Sequence, residues 1–191
     1  MDRYDNAHIV LLHHPVYNKR GDVVTTAVTN LDLHDIARIG KTYGAKHFYI
    51  VTPLDVQRKF VDRILSHWRE GYGAEYNPQR KDAFDIVAVR SSLGKVCHEI
   101  EINGTGKVRV VATSAAVSEK ATTFRSLRSI MQREGGDTIL LFGTGWGLAK
   151  EVLDQADFIL EPIKGTTSYN HLSVRSAVAI TMDRLFGIRD R

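Results

Sequence analysis

The sequence predicts an α/β fold, a mostly parallel sheet flanked by helices. Three observations carry this expectation. Short apolar or β-branched runs alternate with helix-period segments about five times along the chain, the pattern of repeated β-α units. Hydrophobic residues make up 43% of the 191 positions and charged residues 25%, an ordinary globular mixture that supplies one sizeable core. A glycine-rich turn, FGTGWG at Phe142–Gly147, directly follows the apolar run TILL. No internal repeat, low-complexity tract or linker divides the chain, so residues 1–191 are expected to form a single domain.

His8–Leu12 (HIVLL) reads as a buried strand. Leu31–Tyr43 places Leu33, Ile36, Ala37 and Ile39 at helical spacing, and Gly44 stops the helix. His47–Val51 is the next strand, ended by Thr-Pro. Asp55–Arg69 carries Val56, Phe60, Val61, Ile64, Leu65 and Trp68 as one apolar stripe. The Gly-, Asn- and Pro-rich stretch Gly71–Arg80 reads as a functional or mobile loop. Lys81–Val89 is a strand or short helix and Leu93–Glu101 a helix; Asn103–Gly106 turns the chain into the β-branched strand Val108–Ala115. A helix over Thr122–Glu134, a strand over Thr138–Phe142, a helix over Leu148–Gln155 and a strand over Phe158–Glu161 follow. A last helix runs from about Leu172 to Phe186, with Gly187 as its stop.

Lys and Arg exceed Asp and Glu by 26 to 22, a mild surplus that permits a polyanionic partner without demanding one. The single cysteine, Cys97, allows no internal disulfide and fits a reducing compartment. The opening MDRYDNAHIVLLHHP holds an apolar run too short for a signal-peptide core or a membrane span, so a cytoplasmic protein without membrane contact is expected. His13 and His14 are adjacent and face opposite ways on a strand. No two of the eight histidines are three or four apart, and no metal site is expected.

The late glycine turn has two readings. Strand, Gly143-Thr144-Gly145-Trp146-Gly147, helix, then a strand ending at Glu161 resembles a dinucleotide fingerprint, with the acid eighteen positions after Gly143. That reading makes the protein a nicotinamide-dependent oxidoreductase. Against it, the third glycine comes one residue early, and only 30 residues follow Glu161, too few for a second half-sheet. The segment after Glu161 offers a further turn. Gly165, Ser168 and Asn170 precede a helix start, Ser173-Val-Arg-Ser176-Ala177, rich in small residues that allow close approach to a ligand. Two such turns after successive strands point to one pocket edge.

Three stretches, in order, resemble the SPOUT (α/β-knot) class of S-adenosylmethionine-dependent RNA methyltransferases. They are DLHDIARIGKTYGAKHFYIV (Asp32–Val51), FGTGWGL (Phe142–Leu148) and LEPIKGTTSYNHLSVRSAVAI (Leu160–Ile180). The likeness covers nearly the whole chain and is nearest to short stand-alone members related to tRNA guanine-N1 methyltransferases. It implies a C-terminal trefoil knot, a rare exception to the rule against threaded chains. It also implies a homodimer, S-adenosylmethionine as cofactor and an RNA substrate, tRNA, methylated at guanine N1 or a ribose 2′-hydroxyl. Two features depart from the ribose-methylating branch: Asp32 stands where that branch has Asn, and Gly145 or Trp146 where it has Glu. The guanine-methylating branch has a different middle motif and an extra C-terminal domain. A non-catalytic knotted RNA-binding protein is the third reading.

The resemblance places Arg38 as the first catalytic candidate, to stabilise a ribose hydroxyl as it loses its proton or to grip a phosphate; otherwise it is a solvated helix arginine. Asp32 and Asp35 would serve as base or orient Arg38, or simply cap a helix. For the cofactor's adenine, Phe142, Gly143, Thr144, Gly145 and Gly147 would supply backbone contacts. Leu160, Ile163, His171 and Leu172 would supply an apolar slot. Thr113 and Ser114 end the neighbouring strand, Trp146 caps the site or packs, and Glu161 holds an amino group or ribose. Gly165, Asn170, Ser173 and Ala177 complete the set from the final motif. For RNA, Tyr72 and Tyr76 beside Arg80 and Lys81 would stack a base, and Lys120, Arg125, Arg128, Arg133, Arg58, Lys59 and Arg63 offer cations.

Overall fold

The computed structural model describes residues 6–188; the opening Met1–Asp5 and the last three positions, part of the single-domain and leader readings, lie outside them. Strand β1, Ala7–Leu12, is buried along its whole length. A small antiparallel hairpin follows, β2 (Val16–Tyr17) and β3 (Val23–Val24), which has no clear signature in the sequence. Helix α1 spans Asn30–Thr42. The Thr29 hydroxyl accepts from the Asp32 amide and donates to the Asp32 carboxylate at 2.6 Å, so the two side chains fix the helix start together. Strand β4 is His47–Val51, as its apolar run predicts.

Helix α2, Asp55–Arg69, has the expected bounds, but only Val61 and Leu65 of its stripe are fully buried. Val56 and Phe60 are exposed, so the stripe is wider than the contact it makes. The expected loop at Gly71–Arg80 is instead helical. Helix α3 takes Tyr72–Tyr76, and α4 takes Pro78–Phe84 with Asn77 capping the Arg80 amide. Asn-Pro here is an N-cap followed by proline at the first helical position, not a loop signal.

The remainder follows the predicted alternation: β5 (Val87–Arg90), α5 (Leu93–Asn103), β6 (Val108–Thr113), β7 (Ala121–Thr122), α6 (Phe124–Glu134), β8 (Asp137–Gly143), α7 (Lys150–Gln155), β9 (Phe158–Leu160) and α8 (Val174–Phe186). Strand β7 takes Thr122, where the sequence predicts α6 to begin, so the helix starts two residues later at Phe124. Thr123 is the true cap, accepting from the Ser126 amide.

Seven strands form one sheet in the order β5-β4-β1-β8-β6-β9-β7, and every pairing in it is parallel. Alternate residues of the central strands feed two cores. Ile9, Leu11, Phe48, Ile50 and Leu140 pack on α1, α2, α4, α6 and α8; Val10, Leu12, Tyr49, Val51 and Leu141 pack on α5 and α7. Registers Leu12↔Gly143 and Thr113↔Leu160 bring the carboxyl ends of β1, β8, β6 and β9 together. Loops leaving those ends meet in one crevice, where open α/β sheets bind ligands. No helix among the described residues is long and apolar enough to cross a membrane.

Candidate active site

A cavity of about 870 Å³ opens at this carboxyl edge. The glycine turn Phe142–Leu148 forms one wall, and the ends of β6 and β9 form another. Asn170 to Arg175, with Ala177, close it from the side of α8. Thr29 and Asp32 from the start of α1 contribute the last face.

The hairpin fixes the glycine turn. The Trp146 amide donates to the Tyr17 carbonyl at 2.8 Å, and the Tyr17 amide donates to the Gly147 carbonyl at 2.9 Å. The Tyr17 hydroxyl accepts from the Lys150 amide at 3.0 Å, at the start of α7. Gly145 sits at φ +59°, and a Cβ there would lie 2.8 Å from the Tyr17 carbonyl oxygen. Glycine is demanded by conformation and by contact at once. The turn is therefore a tight backbone cradle whose shape comes from its fit to the hairpin.

A chain of hydrogen bonds runs beneath it. Thr144 Oγ1 donates to the Leu12 carbonyl, so it accepts from Thr26 Oγ1; Thr26 in turn accepts from His13 Nδ1–H at 3.0 Å. This order sets the His13 tautomer and leaves its buried Nε2 without a hydrogen-bond partner among the described residues. Burial, opposed by the charge of Asp32, pushes His13 down to about 4, so it is neutral near pH 7. His14 instead meets Thr25 and the Val24 carbonyl.

Asp32 is buried at the joint between α1 and α8. Arg175 Nη1 donates to Asp32 Oδ1 at 2.7 Å, and Arg175 Nε lies 3.3 Å from Asp35 Oδ2. Arg175, in sequence one letter of a small-residue helix start, is the one arginine among the described residues that lines the cavity. Arg38 is exposed. With Asp35 it lines a separate groove of about 540 Å³ between α1 and α8, shared with Arg175 and Ser173.

All the predicted cofactor residues line the cavity except Gly165, which is exposed in the preceding loop with no atom near its Cβ position. Glu161 lines it too, but its Oε1 accepts from the Phe124 amide at 2.8 Å, capping α6. Tyr17, Thr26, Ala27, Thr29 and Arg175 also line it and went unpredicted. The first four share only the stretch between β1 and α1 as a sequence signal, and Arg175 lies in the first turn of α8. No residue of Gly71–Arg80 reaches the cavity. Among the basic candidates, Arg128 donates to the Arg184 carbonyl, Arg58 to the Thr52 and Pro53 carbonyls, and Arg133 pairs with Glu134; these have structural partners.

The volume suits a nucleoside-sized ligand, and apolar Phe142, Leu160, Ile163 and Leu172 beside backbone amides suit an adenine ring. The residues present thus fit S-adenosylmethionine.

Comparison with known proteins agrees. The profile of a SAM-dependent RNA methyltransferase family matches residues 6–187. An uncharacterised protein of Aquifex aeolicus is 38% identical over 182 residues, 95% of this chain and 89% of its own. A tRNA (guanine-N(1)-)-methyltransferase of Oleidesulfovibrio alaskensis is 41% identical over 95% of this chain, which spans only 42% of that relative. The SpoU methyltransferase AviRb of Streptomyces viridochromogenes, solved with AdoMet, shares the fold. Its TM-score is 0.58 at 15% identity, over 95% of this chain and 57% of that one. With the family profile matching residues 6–187 and the cavity geometry in agreement, the chain belongs to the SAM-dependent RNA methyltransferases.

Proposed function

We propose that this chain methylates tRNA at guanine N1, with Asp32 as the proton acceptor. One observation carries the reading: a carboxylate, Asp32, lies on the cavity wall, its oxygens held by Arg175 and Thr29. Guanine N1 bears a proton far more acidic than that of a ribose hydroxyl, and a carboxylate is a strong enough base only for the former. When bound, S-adenosylmethionine supplies an electrophilic methyl group on a sulfonium sulfur. The chain's part is to orient and to take a proton. The glycine turn and the loop before α8 hold the donor, and Asp32 receives the N1 proton as N1 gains the methyl. Alignment supplies up to roughly 7–11 kcal/mol in well-oriented systems, and a positioned base about 10²–10⁴-fold. The name of the Oleidesulfovibrio alaskensis relative supports tRNA and guanine N1.

Three further features belong to the same reading. The segment from β9 to α8 forms a trefoil knot, supported by likeness to SpoU-type structures. A second copy docks on the α1–α8 groove, where Ser173, Ser176 and Ala179 allow close helix approach, and brings Arg38 to the shared site. The protein works in the cytoplasm, in keeping with its single cysteine. Digestion of tRNA labelled from methyl-tritiated donor tests the acceptor. Label in 1-methylguanosine is the expected result; label in a 2′-O-methylated nucleoside overturns the base assignment in favour of ribose.

A further inference from the structure

The cavity mouth carries exposed aromatic rings from two loops far apart in sequence. Trp146 is 58% exposed and Tyr169 74% exposed, whereas Tyr49, Phe48, Phe84 and Phe142 are fully buried. His171 joins the two, its ring 6.3 Å from Trp146 at 67° and 5.5 Å from Tyr169 at 68°. An edge-to-face contact covers at most one face of a ring, and both outer rings are exposed. The supporting backbone is tied down on both sides: Trp146 by its bond to Tyr17, and the other loop by Asn170 Nδ2 donating to the Ala115 carbonyl at 2.9 Å. Trp146 and His171 also line the cavity. Exposed cations lie on the same segments: Lys19 and Arg20 between the two strands of the hairpin whose Tyr17 holds Trp146, and Lys164 in the loop bearing Tyr169. The nearby acid Asp22 is engaged by Asn18 at 2.9 Å.

We propose that Trp146, Tyr169 and His171 form a stacking rim for an unpaired base of the RNA, with Lys19, Arg20 and Lys164 taking the flanking phosphates. The proposal rests on the reading of this cavity as a tRNA methyl-transfer site. A base must leave its stack to reach a reactive centre, and aromatic faces offset the stacking it loses. The other exposed pair, Tyr72 and Tyr76, already stack on each other at 5.8 Å and lie on a segment that contributes nothing to the cavity.

The test uses the full chain, in vitro transcribed tRNAs and methyl-tritiated donor. Tyr169→Ala raises the KM for RNA about five- to a hundredfold, the range for loss of one base-aromatic stack. Donor affinity by calorimetry stays within about twofold. Tyr169→Phe restores the wild-type KM, because stacking does not use the hydroxyl. A paired change, Lys19→Ala with Arg20→Ala, weakens the salt dependence of KM. An unchanged KM in Tyr169→Ala, or a rise only in Tyr76→Ala, overturns the rim while leaving the methyltransferase reading intact. A wild-type chain that transfers no methyl to tRNA overturns both, and the wild-type control alone tells these failures apart.

Discussion

Arg175 and Asp32, 143 positions apart, meet at 2.7 Å where the last helix abuts the first. The pair joins the loop that closes the cavity to the helix that carries the carboxylate. Removing the guanidinium leaves a nearly buried carboxylate with its Thr29 bond alone. Arg175→Ala therefore lowers kcat for methyl transfer by at least tenfold and costs about 1–3 kcal/mol of stability, read by urea unfolding. Arg175→Lys, a point charge without the planar donors that reach Asp32 and Asp35 at once, recovers only part of the rate.

Gly145 is the position where the glycine turn cannot accept a side chain. A Cβ there meets the Tyr17 carbonyl at 2.8 Å with φ at +59°. Gly145→Ala forces the hairpin off the turn. Calorimetry should show donor affinity reduced at least tenfold, with a stability loss on the order of 1–3 kcal/mol.

The chain His13–Thr26–Thr144 makes a separate prediction. Thr26→Val leaves the buried His13 Nδ1–H without its acceptor, at a cost of about 1–3 kcal/mol. Because the same hydroxyl braces Thr144, donor affinity falls several-fold as well. A variant with full stability and full affinity would show that the chain does not brace the turn.

Stability should rise with pH. Burial pushes His13 down to about 4 and also lowers His8, His34 and His47 from 6.5. Between those values the unfolded chain binds protons that the folded chain refuses, so stability is full above the unfolded value and is lost as pH falls towards 4. His13 alone accounts for on the order of 3 kcal/mol at the lower limit. Asp137 adds a loss at lower pH: its burial is outweighed by bonds from His8 and Thr105, which hold it near 2. The urea midpoint should drop steadily from pH 7.5 to pH 5.

Much of this architecture is legible from residue patterns. The runs HIVLL, HFYIV and TILLF are strands because they are buried on both faces, as parallel strands are. The two turns that form the cradle announce themselves through Gly143, Gly145 and Asn170. What escapes is long-range. Val16–Tyr17 and Val23–Val24 are too short to show a period, yet the Tyr17 carbonyl shapes the glycine turn. Arg175 reads as one more helix cation until α1 is placed beside it. Tyr72–Tyr76 reads as a loop because Gly73, with Gly71 just before it, obscures a five-residue helix held by packing on α2 and α4.

The assignment of Asp32 as proton acceptor is tested most directly by Asp32→Asn. The amide keeps the shape and can still accept from Arg175 through its oxygen, but it cannot take the proton. The account predicts donor affinity within about threefold of wild type and single-turnover methyl transfer to tRNA reduced about 10²–10⁴-fold. Transfer within tenfold of wild type, with donor binding intact, would contradict it.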